Sequence, residues 1–439
     1  MPEPSKQNTK LDRKRLLLVG NLSIFMIGLG FAVRASIASD IQNDIFNHLD
    51  LARSAALVGE VLGATFIGFA LTLVFGSALV DWLGMRTMLL FSAFGYVLGS
   101  AIVIAASFLD VSHSSYWLIF SGFLLTGFGW GAVEAASNPM ITAIYPEEKT
   151  HRLNILHAWW PAGIVAGGLA GLAFAALSLP WQVNLLVLII PALWLAYWTL
   201  STQFPVTERV QRGVSYQDMF RELIRSPGFF IWFFCMMITA ASELAPGQWV
   251  DISLTNIVGM PGIFVLIYVS MLMFVMRYFA GAIAKRISSI GLLWAGCLLA
   301  SAGLYGLSLS NSPLTAFLSA TVWGVGVCYL YPTMLSSVNE RYPRGGALFL
   351  GLTGFAGGLS IQFVLPQMGA IFDRAKIEAA GGVDKLMSLE GDALAEVLRD
   401  ASVQSFQAVA ILPLILLPVF GAIWLRDRAK TQNYSSAKA

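Results

Sequence analysis

Residues 153–207 read LNILHAWWPAGIVAGGLAGLAFAALSLPWQVNLLVLIIPALWLAYWTLSTQFPVT and contain no Asp, Glu, Lys or Arg. A helix needs about 20 apolar residues to cross a hydrocarbon core. The run therefore holds two crossings, and Ser178-Leu179-Pro180 is the turn signal that parts them. Working outward, the other charge-free runs are 16–33, 61–80, 87–109, 111–133, 226–242, 252–276, 287–339, 345–372 and 401–425. The run 287–339 is also double, parted at Asn311-Ser312-Pro313. The result is twelve spans, expected at 16–40, 56–80, 87–109, 116–144, 153–177, 182–203, 228–254, 261–284, 290–309, 314–340, 346–372 and 403–426. Barrel strands would show ten-residue alternation instead of continuous apolar runs.

Composition agrees. Of 439 residues, 57% are hydrophobic and 12% charged, against about 25% charged in a soluble domain. A net charge of +2 gives no footprint for nucleic acid. No His/Cys metal spacing, phosphate loop or hydrolase elbow occurs, so neither an enzyme nor a cofactor is expected. Cys235, Cys297 and Cys328 lie in apolar runs and read as small buried hydrophobes. Met1 to Arg15 is polar and basic, with no cleavage site after a short apolar core.

Lys and Arg set the orientation. With the N-terminus inside, the inner segments hold 20 of the 27 Lys/Arg, the outer loops five, and spans the other two, Arg34 and Arg277. Both termini are expected to be cytoplasmic, in a multi-pass protein of the plasma (inner) membrane. The polar stretch 205–227 divides the chain into a bundle at 1–204 and a bundle at 228–439, with an outer loop at 373–402 between spans 11 and 12. Within that loop, the segment from Lys385 has the pattern of a short amphipathic helix. An internal repeat fits two halves: Gly127-Phe-Gly129 precedes Tyr145-Pro146 as Gly324-Val-Gly326 precedes Tyr342-Pro343, both at an offset of 197 residues. Two parallel six-helix halves are a transporter layout. Gly59/Gly63, Gly127/Gly131, Gly163/Gly167/Gly171 and Gly354/Gly358 have the spacing that lets helices approach closely in lipid. The fold class expected is an all-α membrane protein of twelve transmembrane helices in two pseudo-symmetric six-helix bundles.

The loop after span 2, Ser77-Ala-Leu-Val-Asp81-Trp-Leu-Gly84-Met-Arg86, is similar to the Gly-x-Leu-Ala-Asp-Arg-x-Gly-Arg-Arg signature of the major facilitator superfamily. Asp81, Gly84 and Arg86 fit; Ser77 stands where Gly is usual. The resemblance implies a gating role for these three. Glu134-Ala-Ala-Ser-Asn138-Pro139 with Arg152-Leu-Asn154-Ile-Leu-His157 resembles segments of the fucose permease branch, which are sugar:proton symporters. Ser242-Glu243 with Gly247-Gln248-Trp249, and Tyr331-Pro332-Thr333, add to that likeness. The branch carries an acidic residue in span 1; this chain has Arg34 there. The resemblance implies the major facilitator fold, with spans 1, 4, 7 and 10 lining a central cavity.

An ionisable group inside a span is costly and is a functional hypothesis by default. Arg34, Glu134 and Glu243 fall on three of the cavity-lining spans, with Glu60 and Arg277 nearby in sequence position. For Arg34 two readings stand: an ion pair with Glu60, or a bidentate donor to a substrate anion. Glu134 reads as the proton-coupling carboxyl or as a structural hydrogen-bonding acid. Glu243 either accepts from sugar hydroxyls or pairs with Arg277.

A sugar site needs amides and carboxyls for hydroxyls and aromatic faces for C–H surface. Asn138, Asn154, His157, Gln248 and Gln362 offer the first; Trp159, Trp160, Trp249 and Tyr329 offer the second. For Trp159 and Trp160, anchoring at the membrane interface is the competing reading. For His157 it is a helix–helix hydrogen bond. The function expected is secondary active transport by alternating access, most simply hexose:proton symport, with proton coupling by Glu134, Glu243 and Arg34. The alternatives are sodium-coupled sugar transport and an organic-anion transporter using Arg34. The partners expected are a small-molecule substrate, a proton or sodium ion and membrane lipid, around a monomer.

Overall fold

A computed structural model of the chain describes residues 11–436 except 146–148, 208–209, 211–214, 278, 280–282, 284–285 and 343–345. No strand occurs among the described residues. The membrane helices are α1 Arg13–Ser36, α2 Ser54–Leu83, α3 Met85–Ala106, α4 His113–Ile144, α5 Lys149–Ala176 and α6 Gln182–Leu200. The second set is α7 Phe229–Val258, α8 Ile263–Arg277, α9 Ser289–Ser308, α10 Pro313–Val327 continued by Leu330–Arg341, α11 Gly346–Ala380, and α12 Gly391–Ala410 continued by Leu412–Ser436. Among the described residues, eleven helices are long and apolar enough to cross a bilayer, and Ile263–Arg277 is a shorter apolar helix beside them. The turn expected at Ser178 is real: its φ is +53°, and α6 begins four residues later.

Local chemistry explains the ends. Ser112 and Ser312 each head a helix with a capping box, accepting from the backbone of Ser115 and Thr315. The repeat reappears in the backbone. Tyr145 closes α4 at φ −128°, ψ 62°, and Tyr342 closes α10 at φ −128°, ψ 58°. Each N–H bonds the carbonyl four residues back, on Ile141 and Val338.

Small residues set the packing. A Cβ on Gly28 would strike the Trp160 carbonyl, and one on Gly163 the Phe25 carbonyl, so α1 and α5 touch backbone to backbone. Gly127 and Gly131 bring α4 onto α2 in the same way. Gly59 on α2 meets Leu365 of α11, while Gly369 of α11 meets Ala55. The halves therefore meet along α2–α11 and α5–α8. α6 and α12 have the least buried windows, 39% and 28%, and carry Ile190, Tyr197, Ile415 and Leu425 exposed. An apolar exposed face of this kind suits lipid.

Residues 373–402 differ from the loop expected. α11 runs on to Ala380, Val383–Ser388 is a short helix, and α12 starts at Gly391. At 1.5 Å per residue the 35 residues of α11 reach about 50 Å, well beyond a ~30 Å core. Its C-terminal end works as a brace. Asp373 accepts from the N–H groups of Ala55 (3.3 Å) and Ala56 (2.8 Å), the orphan donors at the start of α2. Lys376 Nζ lies 2.7 Å from Asp373 and donates to Ser54 at 3.1 Å.

Candidate functional site

Three prolines shape the centre. A proline has no N–H, so the carbonyl four residues earlier loses its helical partner. Pro161 frees His157, Pro246 frees Ser242 and Pro332 frees Cys328. All three carbonyls are taken by side chains from other helices. Arg277 of α8 donates Nη1–H to the His157 carbonyl (3.3 Å) and Nε–H to the Cys328 carbonyl (3.4 Å). Trp323 of α10 donates its indole N–H to the Ser242 carbonyl at 3.2 Å. Arg277 thus ties α5 of one half to α8 and α10 of the other.

The same guanidinium faces Glu243. Nη2 lies 3.5 Å from Oε1, with both side chains under 10% exposed. The second oxygen, Oε2, is buried with no hydrogen-bond partner. Trp160 lies under the guanidinium, 5.7 Å from ring centre to Cζ, and its indole N–H is also unpartnered. Phe31 stands edge-on to Trp160 at 5.3 Å.

On the α4–α5 side, Asn138 Nδ2 donates to Glu134 Oε2 at 2.7 Å. The Asn138 carbonyl oxygen lies 3.0 Å from His157 Nε2, the distance of a hydrogen bond donated by an Nε2–H tautomer. His157 Nε2 is 4.0 Å from Glu134 itself. Tyr331 of α10 stands within electrostatic reach of Glu134, Glu243 and Arg277 alike. Glu134–Asn138–His157 in one half and Arg277–Glu243 in the other therefore form a polar layer across the molecule, joined at residue 157.

The remaining expected residues divide. Gln248 is fully buried and donates to the Phe31 carbonyl at 2.9 Å, joining α7 to α1; its Oε1 is unpartnered. Gln362 Oε1 is likewise buried without a partner, beside Gly63. Trp249 has no exposed surface, which leaves it no face for a ligand in this conformation. Trp159 is 39% exposed and packs edge-on against Phe25, while its neighbour Trp160 joins the polar layer. The Tyr329 hydroxyl is engaged by the Met276 carbonyl at 3.0 Å. Asn154 lies on α5, and its side chain is outside the described residues.

Asp81, Gly84 and Arg86 gather at the turn between α2 and α3. Gly84 has φ +81° and ψ 147°, a region essentially restricted to glycine. Thr207 donates to Asp81, and Arg86 donates to the Thr202 carbonyl at 2.8 Å. The turn thus holds the strand of chain that leads into the linker.

The Arg34–Glu60 pair is absent. Glu60 pairs with Arg53 at 3.3 Å and accepts from the Tyr116 hydroxyl at 2.6 Å. Arg34 is 1% exposed and lies over the Trp130 ring at 5.8 Å. Tyr331, Arg277's hold on the His157 backbone and the Cys328 carbonyl were not singled out from the sequence as parts of the site; Pro161 and Pro332, each four residues after an accepting carbonyl, were the signal for the two carbonyls.

Among the described residues, eleven membrane-length helices and one shorter apolar helix, packed around a buried Arg277–Glu243 pair, make a multi-pass membrane protein. The family profile of the Major Facilitator Superfamily matches residues 16–364, and the chain belongs to that family. Its fold is similar to that of a D-xylose-proton symporter, with a TM-score of 0.73 at 15% identity, covering 92% of this chain and 97% of that one. The fucose:proton symporter of E. coli gives a TM-score of 0.57 at 17% identity, over 90% and 99% of the two chains. In sequence, the chain is similar to myo-inositol transporter 1 of Saccharomyces cerevisiae, 27% identical over 178 residues. That match spans 40% of this chain and only 29% of the yeast relative's length.

Proposed function

We propose that the chain is a proton-coupled symporter of a sugar or closely related polyol, with both termini in the cytoplasm, working by alternating access. The observation that carries this reading is the polar layer: Glu134, hydrogen-bonded to Asn138 and facing His157, sits in the same network as the Arg277–Glu243 pair of the other half. The carboxyl of Glu134 has an amide donor and no arginine or lysine partner among the described residues. A proton arriving there removes a buried charge, which lowers the desolvation cost of moving the site from one face to the other.

The unpartnered groups suit a hydroxylated cargo. Both atoms are enclosed in this conformation; once the layer opens, Glu243 Oε2 accepts from a hydroxyl and the Trp160 indole N–H donates to a ring or hydroxyl oxygen. The similar transporters named above, of xylose, fucose and inositol, agree with that chemistry. An organic anion at Arg34 is not favoured, because the guanidinium is held between Tyr96 and the Trp130 ring, apart from the polar layer.

Reconstituted liposomes test the proposal. An inward proton gradient should drive accumulation of a labelled hexose, pentose or inositol above equilibrium, with a sodium gradient ineffective. Equal uptake with and without the proton gradient would rule out proton coupling. Accumulation driven by sodium alone would assign the sodium-coupled alternative.

A further inference from the structure

A cleft of about 540 Å³ opens on the seam between α2 and α11, where the two halves meet. Arg53 and Glu60 of one half line it, with Gln367, Arg374 and Glu378 of the other. Arg53 and Glu60 face each other at 3.3 Å. Asp373 also lines the cleft, but its carboxylate is taken by Lys376 and the start of α2. Arg374 and Glu378 are exposed, and neither has a hydrogen bond or ion pair among the described residues.

Two observations set the depth of the cleft. Between Glu60 and Asp81, α2 carries no charge over residues 61–80. At 1.5 Å per residue that is about 30 Å, the thickness of a hydrocarbon core. Glu60 therefore stands at one edge of the core. It accepts from Tyr116, whose ring lies 5.1 Å from that of Trp117, a 58% exposed side chain of the kind that marks a membrane interface. Below this level the walls become hydrocarbon. Phe363, one turn before Gln367 on the same face of α11, is 60% exposed, and Leu71, three turns past Glu60 on its face of α2, is 39% exposed. Gly59 meets Leu365 and Gly63 meets Gln362, so the change from charge to hydrocarbon falls at one level on both helices.

We infer that this cleft binds the headgroup of one zwitterionic glycerophospholipid with a primary amine. The phosphate lies between Arg53 and Arg374, the ammonium donates to Glu378, and the acyl chains run down past Phe363 and Leu71. Guanidinium groups suit phosphate oxygens, and an ammonium N–H suits a carboxylate. The two arginines stand among the carboxylates of Glu60 and Glu378, which repel a headgroup that is only anionic. A quaternary amine brings the charge without an N–H for Glu378. The lipid touches α2 of one half and α11 of the other, so it is held while the seam beside it is closed by Asp373 on Ala55 and Ala56.

Delipidated full-length protein in detergent, titrated with single lipids and followed by native mass spectrometry, tests this. One phosphatidylethanolamine should be retained per chain. Phosphatidylcholine and phosphatidylglycerol should reach the same occupancy only at roughly tenfold higher concentration, the worth of one hydrogen bond between charged groups. Arg374→Gln and Glu378→Gln change exposed residues without partners, so both variants should fold. Each should raise the half-saturating phosphatidylethanolamine concentration roughly tenfold. Glycerophosphoethanolamine, the same headgroup without chains, should not be retained. Retention of it equal to the lipid's would assign the cleft to a soluble phosphate zwitterion. Equal retention of phosphatidylcholine and phosphatidylethanolamine would remove the ammonium contact. A preference for phosphatidylglycerol would mean that the arginines act alone. Unshifted phosphatidylethanolamine retention in both variants would place the lipid elsewhere. Each of these four results overturns the inference.

Discussion

Arg277 on α8 donates to the backbone carbonyl of His157 on α5, 3.3 Å away, across the boundary between the two halves. That carbonyl is free because Pro161 cannot supply the helical N–H. The backbone of His157 in one half is thus held by the side chain that faces Glu243 in the other. A movement of α5 against α8 must stretch this bond, so the polar layer senses the relative position of the halves.

The buried Arg277–Glu243 pair should behave asymmetrically on mutation. Removing one partner strands a charge and costs about 3–5 kcal/mol, while replacing both is far milder. Arg277→Met alone should lower the unfolding temperature more than the double change Arg277→Met with Glu243→Met. Additive destabilisation in thermal denaturation would refute the coupling.

Glycine packing gives a contrast of sign. A Cβ on Gly28 would enter the Trp160 carbonyl, which no side-chain rotation relieves. Gly28→Ala should destabilise by about 1–3 kcal/mol, as overpacking does. A Cβ on Gly421 would sit 3.8 Å from the Trp294 indole nitrogen, an ordinary contact. Gly421→Ala should be neutral or stabilising by up to about 1 kcal/mol through helix propensity. Thermal unfolding of the two variants in one detergent compares them directly.

The brace at the outer end of α11 should bias the conformational equilibrium. Asp373 caps α2 from the opposite half through Ala55 and Ala56, so the contact exists only while that side is closed. Asp373→Ala should populate a longer distance between spin labels at Arg53 and Glu378, which line the outer cleft of about 540 Å³. Identical distance distributions in the variant and the parent would remove the brace from the gating scheme.

The apolar helices, eleven of membrane length and one shorter among the described residues, were legible because charge is so expensive in lipid that its absence marks a span. The same criterion ended span 11 at Asp373, where the first charge stands, although the helix continues through Arg374, Lys376 and Glu378 to Ala380. Side-chain direction was less legible. Trp159 and Trp160 point about 100° apart on one helix, and α5 is apolar nearly all round, so no polar face announced that Trp160 turns inward. Arg34 and Glu60 sit at compatible depths, yet Glu60 turns to Arg53 and Tyr116. Depth follows from counting residues, whereas azimuth depends on packing among helices. The grouping of Glu134, Asn138 and His157 was approachable because Glu134 and Asn138 are one turn apart on one helix.

Asn138 stands between Glu134 and His157, and under the proposed coupling it should be felt in transport more than in folding. Asn138→Ala removes the donor to Glu134 and the acceptor facing His157. A hydrogen bond to a charged group is worth about 1.5–3 kcal/mol, so proton-driven accumulation should fall at least tenfold at unchanged expression. Accumulation at the parent's level would show that the Asn138 bridge is not used in coupling.

The central claim is that Glu134 carries the coupled proton. Replacing it by glutamine keeps the shape and the hydrogen bond to Asn138 while removing the titration. Glu134→Gln should exchange labelled for unlabelled sugar in counterflow at near the parent's rate and fail to accumulate sugar against a gradient when a proton gradient is imposed. Undiminished proton-driven accumulation by Glu134→Gln would contradict the account.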